Sequence, residues 1–366
     1  MRQPELPEVP GVIDADAVVA TAAAVAAVQE RTGAIPWFPG GHVDPWDHVE
    51  CAMALSVAGR YADAERAYGW MFDTQRPDGS WPMRVRAGRV EDAGADTNFT
   101  AYLAVGVYHH WLLTRSERFV LRAWGPVRRA LDFVTALQAP RGEMSWARGA
   151  TGVVDPTALV AGSSSIHQSL RCGLALADLV GSPQPEWEIA LGRLRHALRH
   201  HPEAFADHGR FSMDWYYPVL GGVVRGARGR ARVKDRWDAF VVPGWGARCV
   251  SDRPWVTGAE TCELVLSLHA LQEYDAALDL FASMQHLRDP DGSYWTGHVV
   301  TDDVRWPQER STWTAAAVIL AADALSSATP ASGVFVADGL PTGLDLGEDD
   351  CACRQQAGSG RRLAQD

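Results

Sequence analysis

With 366 residues, 47% hydrophobic and 22% charged, the chain has the makeup of a soluble globular protein of one large domain or two ordinary ones. That excludes a disordered chain, a fibre and a disulfide-stapled miniature. A formal charge of −11 leaves no basic field to gather phosphate backbones, so nucleic acid is not expected as a partner. Tryptophan is the outlier, with 15 copies against 10 Phe and 8 Tyr. Its N–H seeks a partner when buried, so an excess of Trp points to semi-exposed clefts. The six Cys (51, 172, 249, 262, 351, 353) show no metal-ligand spacing and read as reduced thiols. The opening MRQPELPEVPGVIDAD has acids and prolines where a signal peptide has basic and then apolar residues. The Ala-rich run at 18–28 is too short to span a bilayer. A cytoplasmic location without membrane insertion is expected.

Helical periodicity runs from residue 13 to 326 and alternating strands are scarce. Helices are read near 13–31, 45–58, 61–77, 97–113, 117–138, 162–181, 184–199, 257–271, 273–286 and 310–325. Within 204–256, DWYYPVLGGVV and the stretch near 229–238, if helical, bring the total to twelve. Short Gly-containing turns such as SVAGRYADA and LVGSPQPEW pair the helices into hairpins. The longer loops resemble one another: DTQRPDGSW, LQAPRGEMSW and MQHLRDPDGSYW each carry Gln, a Gly turn and a closing Trp (81, 146, 295). The expectation is an all-α (α/α)6 barrel, or toroid, over 1–328. The Gly-, Pro- and charge-rich remainder, 329–366, is expected to be poorly ordered.

If inner and outer helices alternate, the long loops deliver the chain to six inner N-termini at one end of the barrel. There the sequence places Asp44, Trp46, Asp47 and Glu50; then Asp96 and Asn98; then Ser163 to Ser165 and His167. Asp214, Trp215 and Tyr216 follow, then Trp255 and Glu260, then Trp306, Glu309 and Trp313. Any one of these acids and hydroxyls is explained by helix capping. Six in a row, four of them beside Trp, suit a carbohydrate cleft: carboxylates for hydroxyls, indole faces for sugar rings.

The stretches DPWDHVECAMALSVAGRYADAERAYGWMFDTQRPDGSW, GEMSWARG with GSSSIHQSLRCGLALADLVG, and ERSTWTAAAVILAADAL resemble the six-hairpin (α/α)6 glycosidase superfamily, most nearly its glucoamylase-like members. The resemblance implies an inverting acid and base, the acid between helices five and six and the base just before helix twelve. The family places Glu directly after the Trp of the acid's loop, whereas here Ala147 follows Trp146. Glu143 is the carboxylate left in that turn, and Asp302, Asp303 and Glu309 stand in the base's region, Glu309 nearest the helix. The same loops are similar to the QW repeats of terpenoid cyclase and prenyltransferase toroids, although the chain lacks their D-x-D-D acid and zinc ligand set.

Three functions follow. In the first, a glycoside hydrolase acts on an oligo- or polysaccharide: Glu143, shielded by Trp146, is the acid, and Glu309 or Asp303 activates water. Asp44, Asp47, Asp96, Asn98, His167, Asp214 and Glu260 then bind hydroxyls, while Trp46, Trp81, Trp215 and Trp313 stack on rings; with Glu260 as the acid the class still stands. The second is an isoprenoid-converting toroid, and the third a non-catalytic glycan-binding one. The adjacent His109 and His110 face different ways on a helix, so neither metal nor cofactor is expected.

Overall fold

The computed structural model describes residues 5–207, 209–336 and 339–344. Its helices are α1 (Ala15–Val28), α2 (Pro45–Val57), α3 (Tyr61–Thr74), α4 (Thr97–Ala101), α5 (Leu103–Thr114), α6 (Glu117–Thr135) and α7 (Val160–Leu179). They continue as α8 (Pro185–His200), α9 (Ser212–Leu220), α10 (Gly226–Asp235), α11 (Trp237–Phe240), α12 (Gly258–Ala270), α13 (Tyr274–Ser283) and α14 (Thr312–Ser326). The helix expected over 97–113 breaks at Tyr102 into α4 and α5. Both uncertain segments, now α9 and α10, are helical.

Two kinds of helix follow from two kinds of sequence. In α2 every residue but Trp46 is buried, as its nearly unbroken apolar surface requires. In α6, Val120, Ala123, Val127, Ala130, Leu131 and Val134 form one stripe at helical spacing, while Arg118, Arg122, Arg128 and Arg129 face solvent. The apolar helices pack in the order α2, α5, α7, α9, α12, α14, and α14 returns to α2. The amphipathic α3, α6, α8, α10 and α13 each lie against the buried helix that precedes them, and α1 lies against α14 and α2.

The expected all-α toroid is overturned by ten short strands among the described residues, which make the molecule mixed α/β. They are β1 (Arg84–Arg86), β2 (Arg89–Asp92), β3 (Ala95–Asp96), β4 (Ala147–Arg148), β5 (Val154–Asp155), β6 (Val241–Val242), β7 (Gly246–Arg248), β8 (Trp255–Thr257), β9 (Gly297–Val299) and β10 (Val304–Arg305). All pair antiparallel, as a β1–β2 hairpin, a β3-β4-β5 sheet and a five-stranded sheet ordered β10-β9-β8-β7-β6. At two to four residues each, they are too short to show a period of two in the sequence. They lie in the long loops, and β3 and β8 run directly into α4 and α12, so the sheets wall the end where buried helices begin.

The Gln–Gly–Trp repeat has a structural cause. Gln75 Nε2 donates to the Gly79 carbonyl and to the Pro126 carbonyl of α6; Gln138 Nε2 donates to Gly142 and to Ala190 of α8. Gln29 does the same between Gly33 and Asp63 of α3, a copy the sequence did not reveal. Gly79 and Gly142 have φ of +94° and +104°, and a Cβ on either would stand 2.1 and 2.4 Å from a carbonyl oxygen of the next outer helix. Only glycine permits that approach. At these copies the motif staples successive outer helices together, whereas Gln285 Nε2 turns back to the Phe281 carbonyl of α13.

The stretch after 328 also departs from expectation where it is described. Thr329 bonds to Asp323, and Val334, Phe335 and Leu340 are buried in the main core. Its remainder, with the acidic 348–350, Cys351 and Cys353, lies outside the described residues. No helix among the described residues is long and apolar enough to cross a membrane.

Candidate active site

The site is assembled from helix starts. Asp44 N-caps α2, its Oδ1 accepting from the backbone N–H of Trp46 (3.1 Å) and Asp47 (3.0 Å), with Pro45 in the first turn. Asp96 N-caps α4 through the Phe99 N–H at 3.0 Å. The β3–β4 register sets Asp96 opposite Ala147, which brings the neighbouring Trp146 indole within 2.7 Å of Asp96 Oδ2. A carboxylate thus stands beside this Trp after all, supplied by the partner strand. The start of α7 is held from α9, where Asp214 Oδ1 accepts from Ala161 N–H at 2.8 Å. Glu260 occupies the first turn of α12.

The starts of α2, α4, α7 and α9 enclose a cavity of about 160 Å³ lined by Trp46, Asp96, Asn98, Phe99, Trp146 and Ser163 together with Met144, Leu159, Ala161, Ile166 and Met213. Asn98 Oδ1 and Ser163 Oγ are buried there without a hydrogen-bond partner. Buried polar atoms are rarely left so, and these two suit a polar ligand. Trp146 is 38% exposed and separates the cavity from a groove of about 450 Å³ lined by Met83, Gly94, Ala147, Val153 and Val154. On the floor, Trp46 touches Phe99, Tyr102, Tyr217 and Trp313 with ring centroids 5.8 to 6.1 Å apart.

The carboxylates form two tiers. Asp44, Asp47, Asp96 and Glu260 keep 5 to 7% exposure. Three residues further along the same helices, Glu50 and Glu263 are almost wholly enclosed. Glu50 accepts from Tyr102 Oη and Trp313 Nε1, both at 2.8 Å, and Glu263 from Tyr216 and Tyr217 Oη, both at 2.5 Å. Burial raises the Asp96 carboxyl to about 6 and Glu50 to about 7, against the bonds they accept. Burial lifts Glu263 well above the carboxylate range, with the Glu50 charge adding to it. Asp47 is also raised well above that range, by burial first and then by Asp44. Glu260 is raised by burial, with Thr257 and Cys249 hydrogen bonds opposing the shift.

Of the residues expected at the site, Asp44, Trp46, Asp47, Asp96, Asn98, Glu260 and Trp313 gather at this end, and Asp214 braces it. Others lie elsewhere. Trp81 and Trp215 are core residues, their indoles donating to the carbonyls of Met71 and Arg232. His167 faces a separate cavity one turn along α7 from Ser163. Asp303 is a surface residue with an 87% exposed side chain beside His298. Glu309 accepts from Trp37 Nε1 at 2.7 Å and lines a groove of about 820 Å³ against α1. Glu143 lies in the turn after α6, while Met144 and Trp146 line the cavity. Trp146 as a wall of the cavity, and Glu263, were not singled out. The matched pairs Asp47/Glu50 and Glu260/Glu263, three apart on buried helices, were the available signal.

No family model matches the chain. It is 58% identical over 348 residues to the MMP endo-(1,4)-3-O-methyl-alpha-D-mannosidase of Mycolicibacterium hassiacum, across 95% of this chain and 96% of that protein. Among solved structures it resembles a glycosidase in complex with glucose (TM-score 0.67, 17% identity, 85% of this chain and 96% of the other). It also resembles a D-mannose isomerase (TM-score 0.65, 10% identity, 85% and 96%). At such identities these structures speak for the fold alone.

Proposed function

Because the chain belongs to the glycoside hydrolase family of that endo-mannosidase, we propose that it cleaves internal α-(1,4) bonds of a 3-O-methylated mannose polysaccharide by an inverting acid–base mechanism. The observation that carries this is the cavity at Trp46 and Trp146: unpaired polar atoms and the Asp96 carboxylate beside a wall of Met144, Leu159, Ala161, Ile166 and Met213. Hydroxyls find Asp96, Asn98 and Ser163, and methyl ethers find the apolar wall. The groove beyond Trp146 gives the next sugar a place, as cleavage within a chain requires.

Asp47 is the acid in this reading. It is buried, raised well above the usual carboxylate range and hydrogen-bonded to Asp44, so it holds a proton for the leaving glycosidic oxygen. Glu260, one ring helix removed on α12, is the base. It takes a proton from water as the water oxygen bonds to the anomeric carbon on the face opposite the breaking bond. Asp44 positions Asp47, and Asp96, fixed by two donors, binds a hydroxyl. This pair, in the first turns of α2 and α12, replaces Glu143 in the turn after α6 and Glu309 in the groove against α1.

The test is digestion of a 3-O-methylmannan followed by proton NMR. Internal fragments whose new reducing ends appear first as the β-anomer, absent with Asp47→Asn and Glu260→Gln, are expected. An initial α-anomer would overturn inversion, and terminal monosaccharide release would overturn internal cleavage.

A further inference from the structure

The Gln–Gly–Trp motif is incomplete at its last copy, and a groove lies beside it. Gly292, at φ +88°, still meets α1, where a Cβ on it would stand 2.7 Å from the Ala20 backbone. Gln285 does not reach across: its Nε2 donates to Phe281 of its own helix and its Oε1 accepts from Tyr294 Oη at 2.7 Å. Between α1 and this turn runs the groove of about 820 Å³, against about 160 Å³ for the cavity at Trp146. The closing tryptophans differ in the same way. The indole N–H of Trp81 donates to the Met71 carbonyl and that of Trp146 to Asp96, whereas Trp295 Nε1 is buried without a partner. Trp295 lines the groove, and its ring is held there by Arg305 and Arg310, 5.2 and 5.6 Å from its centroid.

The lining specifies a neutral ligand. Ala20, Ala23, Ala24 and Ala27, spaced i, i+3, i+4 and i+7, make one apolar face of α1, a helix whose one charged residue is Asp16. Arg310, the cation of the groove, is engaged by Asp289 at 2.5 Å and Asp291 at 3.3 Å. Asp291 and Glu309 outnumber it, so an anion is repelled. Glu309 Oε1 accepts from Trp37, while its Oε2 accepts no hydrogen bond among the described residues. An apolar floor with a few placed donors and acceptors suits a saccharide that carries both hydroxyls and methyl ethers. The groove is also joined to the sugar cavity by a row of indoles. Trp37, bonded to Glu309, lies 5.6 Å from Trp313, and Trp313 lies 6.1 Å from Trp46.

We propose that this groove binds a second stretch of the methylated saccharide, away from the bond being cut, with methyl ethers on the alanines and oxygens at Glu309 and Trp295. The substrate class rests on the function proposed above, so binding is measured apart from cleavage. Calorimetric titration of a 3-O-methylmannan into Asp47→Asn, which leaves the polymer whole, sets the reference affinity. Added to it, Ala24→Arg fills the floor, and Trp295→Phe keeps a ring beside the two arginines but deletes the N–H. Each is expected to weaken the polymer about fivefold, the worth of one neutral hydrogen bond, with Tm unmoved. In the otherwise unaltered enzyme, Ala24→Arg is expected to raise KM for the polymer by about the same factor at constant kcat. A short fragment that fills only the sugar cavity should be cut as before. Polymer affinity that is absent, or unchanged in both variants, overturns the proposal even where cleavage proceeds. Weakened binding in an enzyme that cuts no methylmannan keeps the groove and overturns the reaction. Light scattering that shows a dimer split by Ala24→Arg, at unchanged polymer affinity, overturns the proposal in favour of a second copy of the chain.

Discussion

On α2 and α12 the same chemistry occurs twice, three residues apart: Asp47 precedes Glu50, and Glu260 precedes Glu263. The deeper pair is saturated, each carboxylate accepting two aromatic donors across helix boundaries, Tyr102 and Trp313 for one and Tyr216 and Tyr217 for the other. The upper tier keeps a sliver of exposure, and one of its members, Asp96, lines the cavity that holds the unpaired Asn98 and Ser163 atoms. Burial alone therefore does not mark the reactive carboxylate. What separates the tiers is where the partners lie: the deeper pair is tied to aromatic side chains of neighbouring helices, whereas Asp44 and Asp96 cap the backbone of the helices they begin.

The largest effect expected from that contrast is on rate. Asp47→Asn removes the transferable proton but keeps the shape, so kcat should fall about 10³-fold, within the range of a lost general acid. The same change replaces a neutral, protonated carboxyl by a neutral amide of the same shape, so the thermal midpoint should hold. A variant that is inactive because it is unfolded in circular dichroism would erase the distinction between the tiers. Glu263→Ala is the converse. It leaves two buried tyrosine hydroxyls without an acceptor and should cost about 2–5 kcal/mol in denaturant unfolding. A loss below about 1 kcal/mol would mean that the deeper tier is not a structural clamp.

Acidity sharpens the contrast further. A carboxyl raised in the folded state, as Glu50 is to about 7, binds its proton more tightly folded than unfolded. Its stabilisation is complete below the unfolded value and is lost as the pH rises through the folded one. Stability should therefore decline between about pH 5 and pH 8, with Glu50→Gln flattening part of that slope. Denaturation midpoints that run parallel with pH in the two proteins would remove Glu50 as the cause.

How much of this was legible in the sequence depends on which periodicity carried it. Buried helices such as α2 and α14 announce themselves by long apolar runs with Asp or Ser at the start, and their first-turn acids could be read as a set. The strands could not, because β3 and β4 hold two residues each and exist through the partner they meet. For that reason the Asp96–Trp146 contact was invisible, and Ala147 looked like a missing acid when the carboxylate comes from the opposite strand. Trp81 misled for a related reason: a Trp closing a Gly turn looks the same whether it faces a cleft or, as here, donates to Met71 in the core. The Gln–Gly–Trp copies were visible as a repeat, but their purpose, stapling one outer helix to the next, required the three-dimensional neighbours Pro126 and Ala190.

Trp146→Phe tests that strand-borne contact. It keeps an aromatic face over the cavity but removes the donor to Asp96 Oδ2, and a hydrogen bond to a charged acceptor is worth about 1.5–3 kcal/mol. Part of that is recovered by water, so KM should rise about tenfold with kcat little changed. A fall in kcat with KM constant would instead place Asp96 in the chemical step.

The smallest effect is the most discriminating between the tiers. Ser163 Oγ is buried at 2% residue exposure with no partner, so in the free protein it carries a desolvation cost with nothing to offset it. Ser163→Ala should leave the unfolding free energy unchanged or raise it by a few tenths of a kcal/mol, because an unsatisfied hydroxyl is removed. If the hydroxyl is kept for the saccharide, the same variant should bind substrate about five- to tenfold more weakly, the worth of one neutral hydrogen bond. Stability and affinity then move in opposite directions, as they must for a group the fold does not use. A variant that lost stability as well would place Ser163 with Glu263, among the residues that hold the ring together.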